Sequence, residues 1–339
     1  MSGVQVPPPL PIRAIAVLSL SAYPADHADE MILLASALLL LAAPVAPPPL
    51  TRFETVATAQ PTDGAAPDKI PMSVDSFDRM TVPVRLAGAG PFWFLVDTGS
   101  DRTAISSELA ARLRLAAGPG AVLHSATGQS RTQMVVIADL SLSRKAMRRI
   151  DAPMLAAIDI GADGILGIDS LRAHRLLFDF PARTLSITSA EGRNDLDGEG
   201  AIVVRAQRRE GRLVITDAAA GGKHVSVVLD TGSQLSVGNA ALRRALDRRG
   251  KLELLGPIEL VSVTGEALRG ELAIVRELQI GGATITQLAM VFAEAHTFRQ
   301  LGLDQVPAIL LGMNGLRSFD KVSIDFESKK LRVLVSQPR

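Results

Sequence analysis

The sequence of 339 residues predicts a mainly β protein built from two duplicated lobes, each carrying one or two short helices and facing the other about a pseudo-twofold axis. Three observations carry that prediction. An apolar strand running into Asp-Thr-Gly-Ser occurs twice: Phe92-Trp93-Phe94-Leu95-Val96 precedes Asp97–Ser100, and Val227-Val228-Leu229 precedes Asp230–Ser233. A short apolar run closed by turn residues reads as a buried strand. A hydroxyl-rich turn also recurs, as Ser125-Ala126-Thr127-Gly128-Gln129 and Ser262-Val263-Thr264-Gly265-Glu266. Finally, Leu166-Gly167-Ile168-Asp169-Ser170-Leu171-Arg172 matches Leu311-Gly312-Met313-Asn314-Gly315-Leu316-Arg317. Landmarks repeated in one order identify an internal repeat, and a period this long belongs to a duplicated domain rather than a solenoid.

Each element follows from local chemistry. Thr81–Leu86 alternates as a strand, Ala87–Pro91 is a Gly/Pro turn, and Phe92–Val96 completes a hairpin that delivers Asp97. Ser106 or Ser107 caps a short helix with Glu108 in its first turn; Leu109, Leu113 and Leu115 are its apolar positions, and Gly118-Pro119 ends it. A second hairpin over Val122–Ser130 and Thr132–Leu140 turns at Thr127-Gly128. The glycine segment Gly164–Gly167 follows, then closing strands near Phe178–Phe180 and Thr184–Thr188. Polar Ala190–Gly200 separates the lobes. The second lobe repeats the order: strands Ala201–Val204, Leu213–Thr216 and Val225–Leu229, helix Ala240–Leu246, hairpin Leu260–Glu266, glycine segment Ile309–Gly312, and strands Ile324–Phe326 and Leu331–Val335. A longer loop is expected around Ala293–Val306. Asp179 and Asp325 read as residues of edge-like strands, and Trp93 as part of a core strand.

Composition narrows the function. With Lys+Arg 36 against Asp+Glu 35 and only 4% aromatics, nothing points to nucleic acid as a partner. The absence of cysteine excludes disulfides, thiolate metal sites and thiol nucleophiles. The five histidines, His27, His124, His174, His224 and His296, show no ligand spacing, so no metal is expected. The strand-helix Gly-x-Ser-x-Gly element of serine hydrolases is missing. Arg243, Arg244, Arg248 and Arg249 read as a solvated helix face.

Met31–Ala43 is an uncharged apolar run of signal-peptide length, followed by Pro44 and Pro47–Pro49, with Ala57-Thr58-Ala59 as a small-residue cleavage site. Ala14–Leu20 is a weaker second apolar stretch. Asp26, Asp29 and Glu30 stand where positive charge is expected before the run, which a start at Met31 would explain. The expectation is export to the periplasm or medium; left uncleaved, the same run would be a membrane anchor. The domain reading is 1–59 export segment and disordered linker, 60–79 linker, 80–190 first lobe, 191–200 interlobe linker and 201–339 second lobe.

Two equivalent carboxylates on buried strand ends have a specific use. Brought together in a cleft of low dielectric, Asp97 and Asp230 cannot both ionise and so share one proton. The ionised member is a general base for water, and the protonated member a general acid for a carbonyl oxygen. Gly99 and Gly232 allow a tight turn and close approach of backbone to carboxylate. Thr98 and Thr231 offer hydroxyls to cross-link the loops. Ser100 and Ser233 are expected to donate to the carboxylates, which would lower their pKa values and favour an acidic optimum.

These residues resemble the retropepsin-like aspartic proteases of bacterial type, two such lobes being fused in one chain. The resemblance rests on the two Asp-Thr-Gly-Ser motifs and on a second signature, Ile165-Leu166-Gly167 and Leu310-Leu311-Gly312, and covers about Met80–Val335. It implies a closed β-structure for each lobe and an aspartic endopeptidase acting on peptide or protein substrates without a cofactor. It also implies flaps at Thr127-Gly128 and Thr264-Gly265, and a substrate-backbone role for Asp101, whose counterpart is Gln234; the residues themselves leave open that Asp101 instead pairs with Arg102 or another arginine as structural support. Covalent fusion favours pairing of lobes within one chain, hence a monomer. The only tyrosine, Tyr23, lies outside both lobes, so a pepsin-type flap tyrosine is missing. The alternative is a catalytically silent peptide-binding protein of the same fold.

Overall fold

A computed structural model describes residues 12–15, 21–24, 68–74, 79–142, 145–189, 196–197 and 200–335. The apolar run Met31–Ala43 and the Ala57-Thr58-Ala59 site lie outside the described residues. Among the described residues no helix is long and apolar enough to cross a membrane.

Each lobe is one mixed sheet folded back on itself. In the first, the strand Ala89–Val96 lies between Met80–Leu86 on one side and the glycine segment Gly164–Leu166 on the other. Gly164–Leu166 in turn pairs with Ala104–Ser106, which is followed by Lys145–Leu155, Gln129–Leu142 and Ala116–His124. The second lobe repeats this path through Arg212–Ile215, Ser226–Leu229, Ala308–Leu311, Ser236–Gly238, Ala283–Phe292, Ala267–Ile280 and Leu252–Val261. The two-residue turn Ala87-Gly88, with φ of 49° and 78°, joins the first hairpin, which suits the right-handed twist of its strands.

Apart from Trp93, the strand ends that lead to Asp97 and Asp230 are buried on both faces, which explains why they read as apolar runs rather than alternating ones. Phe92, Phe94 and Val96 enter one core layer with Val82, Val84 and Leu86, while Leu95 packs into a second layer with Leu123 and Ile165. Trp93 departs from its reading as a core residue: its side chain is 38% exposed. In the second lobe Val227 and Leu229 face the shared layer, and Val228 faces the other with Val214 and Leu310.

A third sheet joins the lobes. Its six strands run Asp68–Pro71, Thr184–Ser189, His174–Asp179, Lys321–Asp325, Lys330–Leu334 and Ile202–Arg205, three from each half. The pseudo-twofold axis passes between His174–Asp179 and Lys321–Asp325, which pair antiparallel with Arg175 opposite Asp325. Two expectations change here. Asp68–Pro71, assigned to a linker, is an edge strand of this sheet. Asp179 and Asp325 lie on its two central strands, and Asp325 is 1% exposed, accepting from Arg175 Nε and Nη2 at 3.2 Å.

Other elements differ from expectation in extent. The first helix spans Ser107–Arg112, with Ser106 Oγ accepting from Leu109 N at 3.1 Å. It stops well before Gly118, because Ala116 already begins the next strand. The second-lobe helix spans Ala240–Asp247, capped by Asn239. The long loop Ala293–Val306 holds a further helix, His296–Gln300.

Candidate active site

Both Asp-Thr-Gly-Ser loops sit at the seam between the lobes. Each aspartate leaves its strand beside a glycine segment: Asp97 N donates to Leu166 O and Asp230 N to Leu311 O, both at 3.0 Å. Both carboxylates are buried, at 0% and 1% exposure. Asp97 Oδ1 accepts from Gly99 N at 2.7 Å and Asp230 Oδ1 from Gly232 N at 3.2 Å.

The loops interlock across the axis through the threonines. Thr98 Oγ1 donates to Leu229 O at 3.0 Å and accepts from Thr231 N at 3.2 Å. Thr231 Oγ1 donates to Val96 O at 2.7 Å and accepts from Thr98 N at 3.0 Å. Each hydroxyl therefore satisfies a buried donor and a buried acceptor of the opposite lobe, which fixes the separation of the two strand ends.

The glycines of the motif are required by proximity. A Cβ on Gly232 would lie 2.3 Å from Asp97 Cγ, and one on Gly99 would lie 2.7 Å from Asp230 Oδ1. The carboxylate of each lobe thus occupies the space beside the other lobe's glycine. The second signature supports the loops from behind. Cβ atoms on Gly167 and Gly312 would meet Arg102 C at 2.4 Å and Leu235 O at 2.6 Å. Ile168 N donates to Ser100 O, and Met313 N to Ser233 O, both at 2.8 Å. Ile165, Leu166, Leu310 and Leu311 are all buried beside these contacts.

The serines do not act as expected. Ser100 Oγ donates to Arg102 O and Ser233 Oγ to Leu235 O, both at 2.8 Å, so neither hydroxyl donates to a carboxylate. This is the local side-chain-to-backbone bond that a short hydroxyl makes when a carbonyl lies two residues away. Burial pushes the Asp97 carboxyl up to about 7, against the Gly99 N–H and the charges of Arg212 and Arg79. Burial likewise raises Asp230 well above the ordinary carboxylate range, and the neighbouring Asp97 adds to it. The donation expected to depress both pKa values is therefore not made, and burial shifts both carboxyls the other way.

Several site residues carry signals that motif reading misses. Arg79 and Arg212 are both buried, at 0% and 1% exposure, and each lies 18 residues before its aspartate. Arg212 reaches from the second lobe into the first, donating to Gly99 O at 2.9 Å and pairing with Asp101 Oδ2 at 3.1 Å. Arg79 donates to Ile160 O. Asp101 therefore serves an interlobe ion pair, and it also lines a cavity of about 340 Å³ with Arg102, Asp169 and Arg172. Thr103 and Ser236, each six residues after an aspartate, are a further matched pair. Asp169 Oδ1 accepts from Thr103 Oγ1 at 2.7 Å, and Asn314 Oδ1 from Ser236 Oγ at 2.9 Å.

The hairpin tips meet over the seam and cross into the opposite lobe. Thr127 Oγ1 donates to the Glu266 carboxylate, and Thr264 Oγ1 to Ser125 Oγ at 3.4 Å. Ala126, from the first lobe, packs in a second-lobe cluster with Val214 and Phe298, while Val263 packs in a first-lobe cluster with Leu95 and Leu123. His296 N donates to Ala126 O at 2.7 Å. Gly128 and Gly265 take φ of 152° and 79°, conformations that permit the tips to turn. Among the described residues no group of three or more His, Asp or Glu is placed to hold a metal ion.

Two like halves sharing one pair of acids across their seam define the class as retropepsin-like aspartic proteases in two-lobe form. The chain belongs to the aspartyl protease family, whose pattern matches residues 82–170 and 216–314, one stretch in each lobe. No curated protein matches the sequence.

Proposed function

We propose that the protein is an aspartic endopeptidase that hydrolyses peptide bonds with water activated by the Asp97–Asp230 dyad. The observation that carries this reading is the mutual proximity of the buried carboxylates, each filling the space a Cβ would need on the opposite glycine. Such a pair shares one proton. The ionised carboxyl takes a proton from water as the water oxygen bonds to the scissile carbonyl carbon. The protonated carboxyl gives its proton to the carbonyl oxygen. In the second step the amine nitrogen takes a proton from one carboxyl, and a hydroxyl of the tetrahedral diol returns a proton to the other as the C–N bond breaks, leaving a carboxylic acid, an amine and a dyad again holding one proton. Only this chain's own groups are needed.

The test is cleavage of an unstructured protein by the full chain, compared with Asp97→Asn and Asp230→Asn, across roughly pH 4 to 9. Each substitution is expected to reduce turnover to background, since a dyad acts as a unit. A folded wild-type chain that binds peptide yet never cleaves it would instead establish a binding protein. The joining sheet further supports a single-chain enzyme, so activity per molecule is expected to be independent of concentration, with a monomeric mass by light scattering.

A further inference from the structure

We propose that His124 and His296 form a pH-sensitive latch between the lobes, shut while both rings are neutral and released in mild acid. His124 ends the strand that leads to the first hairpin tip, and His296 opens the second-lobe helix His296–Gln300. Their rings stack with 26° between the planes, and His124 Nδ1 lies 3.1 Å from His296 Nε2. The tip is held to the same helix start by its backbone, since His296 N donates to Ala126 O at 2.7 Å. Ala126 is in turn buried in the second-lobe cluster that includes Phe298 of that helix. A backbone bond, an apolar contact and a ring pair tie one tip to one helix, and of these only the ring pair titrates.

A third partner decides where the protons sit. Arg299 Nη2 lies 3.4 Å from His296 Nδ1, and a guanidinium can only donate, so Nδ1 accepts. His296 then carries its proton on Nε2 and donates it to His124 Nδ1, which leaves His124 protonated on Nε2 alone. The chain from Arg299 through His296 to His124 is complete only with two neutral rings. If the bond between the rings is kept, a first added proton leaves a hydrogen on His296 Nδ1 and removes the Arg299 bond. A second added proton leaves neither facing nitrogen able to accept. Two like charges then stand ring against ring, so the pair titrates as a unit and gives up its bond on the second step.

The charged side chains around the pair do not offset that repulsion. Arg299 adds to it, and Arg131, near the facing end of Gln129–Leu142, has the same sign. Tyr23 stands opposite Val122 rather than His124. Glu266 of the opposite tip already accepts from Thr127 Oγ1, and Glu294 from Ala240 N. Glu259 alternates with Ile258 and Leu260, which face the Ala126 cluster, and so points to the other side of its strand. Burial lowers both rings from 6.5, and for His296 the charges of His124 and Arg299 add to the push. Stability from the latch is therefore complete above the ordinary histidine value and is lost as pH falls through the lower folded values. The tip so released is one of the two that meet over the seam holding Asp97 and Asp230.

The test compares the full chain with His124→Phe and His296→Phe, each of which keeps an aromatic ring in the stack but cannot take a proton. Hydrogen-exchange protection of the first tip, corrected for the intrinsic pH dependence of exchange, is measured at roughly pH 7.5 and pH 5. The wild type is expected to lose about tenfold in protection between the two, and the variants less than about twofold. All three chains keep the Asp97–Asp230 pair, so any effect of its titration is common to them. Equal protection of the wild type at both pH values, or a tenfold loss that persists in both variants, would overturn the proposal. Should the substitutions loosen the tip at either pH, the ring-proton resonances of the wild type decide. Two coupled steps, both below 6.5, support the latch, and independent steps at the ordinary value overturn it. None of these readouts requires peptide cleavage, so a chain that cleaves nothing would remove the peptidase reading and leave the latch standing.

Discussion

Replacing Gly232 with alanine would place a methyl carbon 2.3 Å from Asp97 Cγ, far inside any real contact, so that either the loop or the carboxyl must move. A displacement of about 1 Å at reacting groups costs about a hundredfold in rate. Gly232→Ala is therefore expected to lose at least about that much in kcat while circular dichroism shows an intact β fold. The dyad also has a consequence for stability. A carboxyl raised by folding binds its proton more tightly in the native state, so its contribution is complete below the ordinary value of 3.8 and is lost as pH rises through about 7. Thermal melts should show stability falling across that interval, and the fall should flatten in Asp97→Asn. For the same reason, peptide cleavage is expected to peak near neutrality rather than in strong acid. Aspartates, glycines and threonines of the site were legible because the motif occurs twice. Arg79 and Arg212 were not, since a lone arginine reads as a surface residue; only their identical offset from each aspartate could have exposed them. The serine hydroxyls point elsewhere than the motif suggests, because sequence cannot show that a carbonyl two residues on lies nearer than the carboxylate.

Each hairpin tip is latched by a side chain that belongs to the opposite lobe's core. Val263 is 1% exposed within the first lobe, so Val263→Ser would put a hydroxyl among Leu95, Leu123 and Ile165. Such a group costs about 1–3 kcal/mol when buried without a partner. Faster hydrogen exchange at residues 262–266 and a raised KM are expected, with the global melting temperature little changed. The His124 and His296 rings stack with centroids 5.3 Å apart and share a 3.1 Å hydrogen bond at the foot of the first hairpin tip. Burial holds both below the usual histidine value. At this scale the hairpins, the short helices and their order could be read from turn residues and caps. Boundaries could not: Leu113 and Leu115 continue a helical apolar pattern, yet Leu115 packs against the core from the chain that leads into a strand. The helix His296–Gln300 went unread inside its loop, because a single turn without a side-chain cap leaves little trace in sequence.

The two lobes are held as one body by a sheet that neither could complete alone. Its central cross-strand pair, Arg175 with Asp325, is buried at 6% and 1% exposure. Asp325 Oδ1 also accepts from Ser328 N at 2.9 Å. Removing one member of a buried pair leaves an uncompensated charge, so Arg175→Leu is expected to cost about 3–5 kcal/mol in chemical denaturation. Against the push of burial, the bonds from Ser328 and Arg175 hold Asp325 below the ordinary carboxylate value. This contribution is present above 3.8 and lost as pH falls through the folded value, the opposite sense to the dyad. Duplication was plain from the repeated motifs, but the joining sheet was not: Asp68–Pro71 has the proline and charge of a linker, and only its partner Thr184–Ser189 makes it a strand. Duplication within one chain also frees the halves to differ. Asp101 and Arg212 clasp one side of the axis, while Gln234 stands at the matching place on the other. A peptide has a beginning and an end, whereas a perfect twofold axis treats both alike. By breaking that equality at Asp101 as well as at pairs such as Asp169 and Asn314, a fused chain is free to treat the amino-terminal and carboxy-terminal sides of a peptide differently.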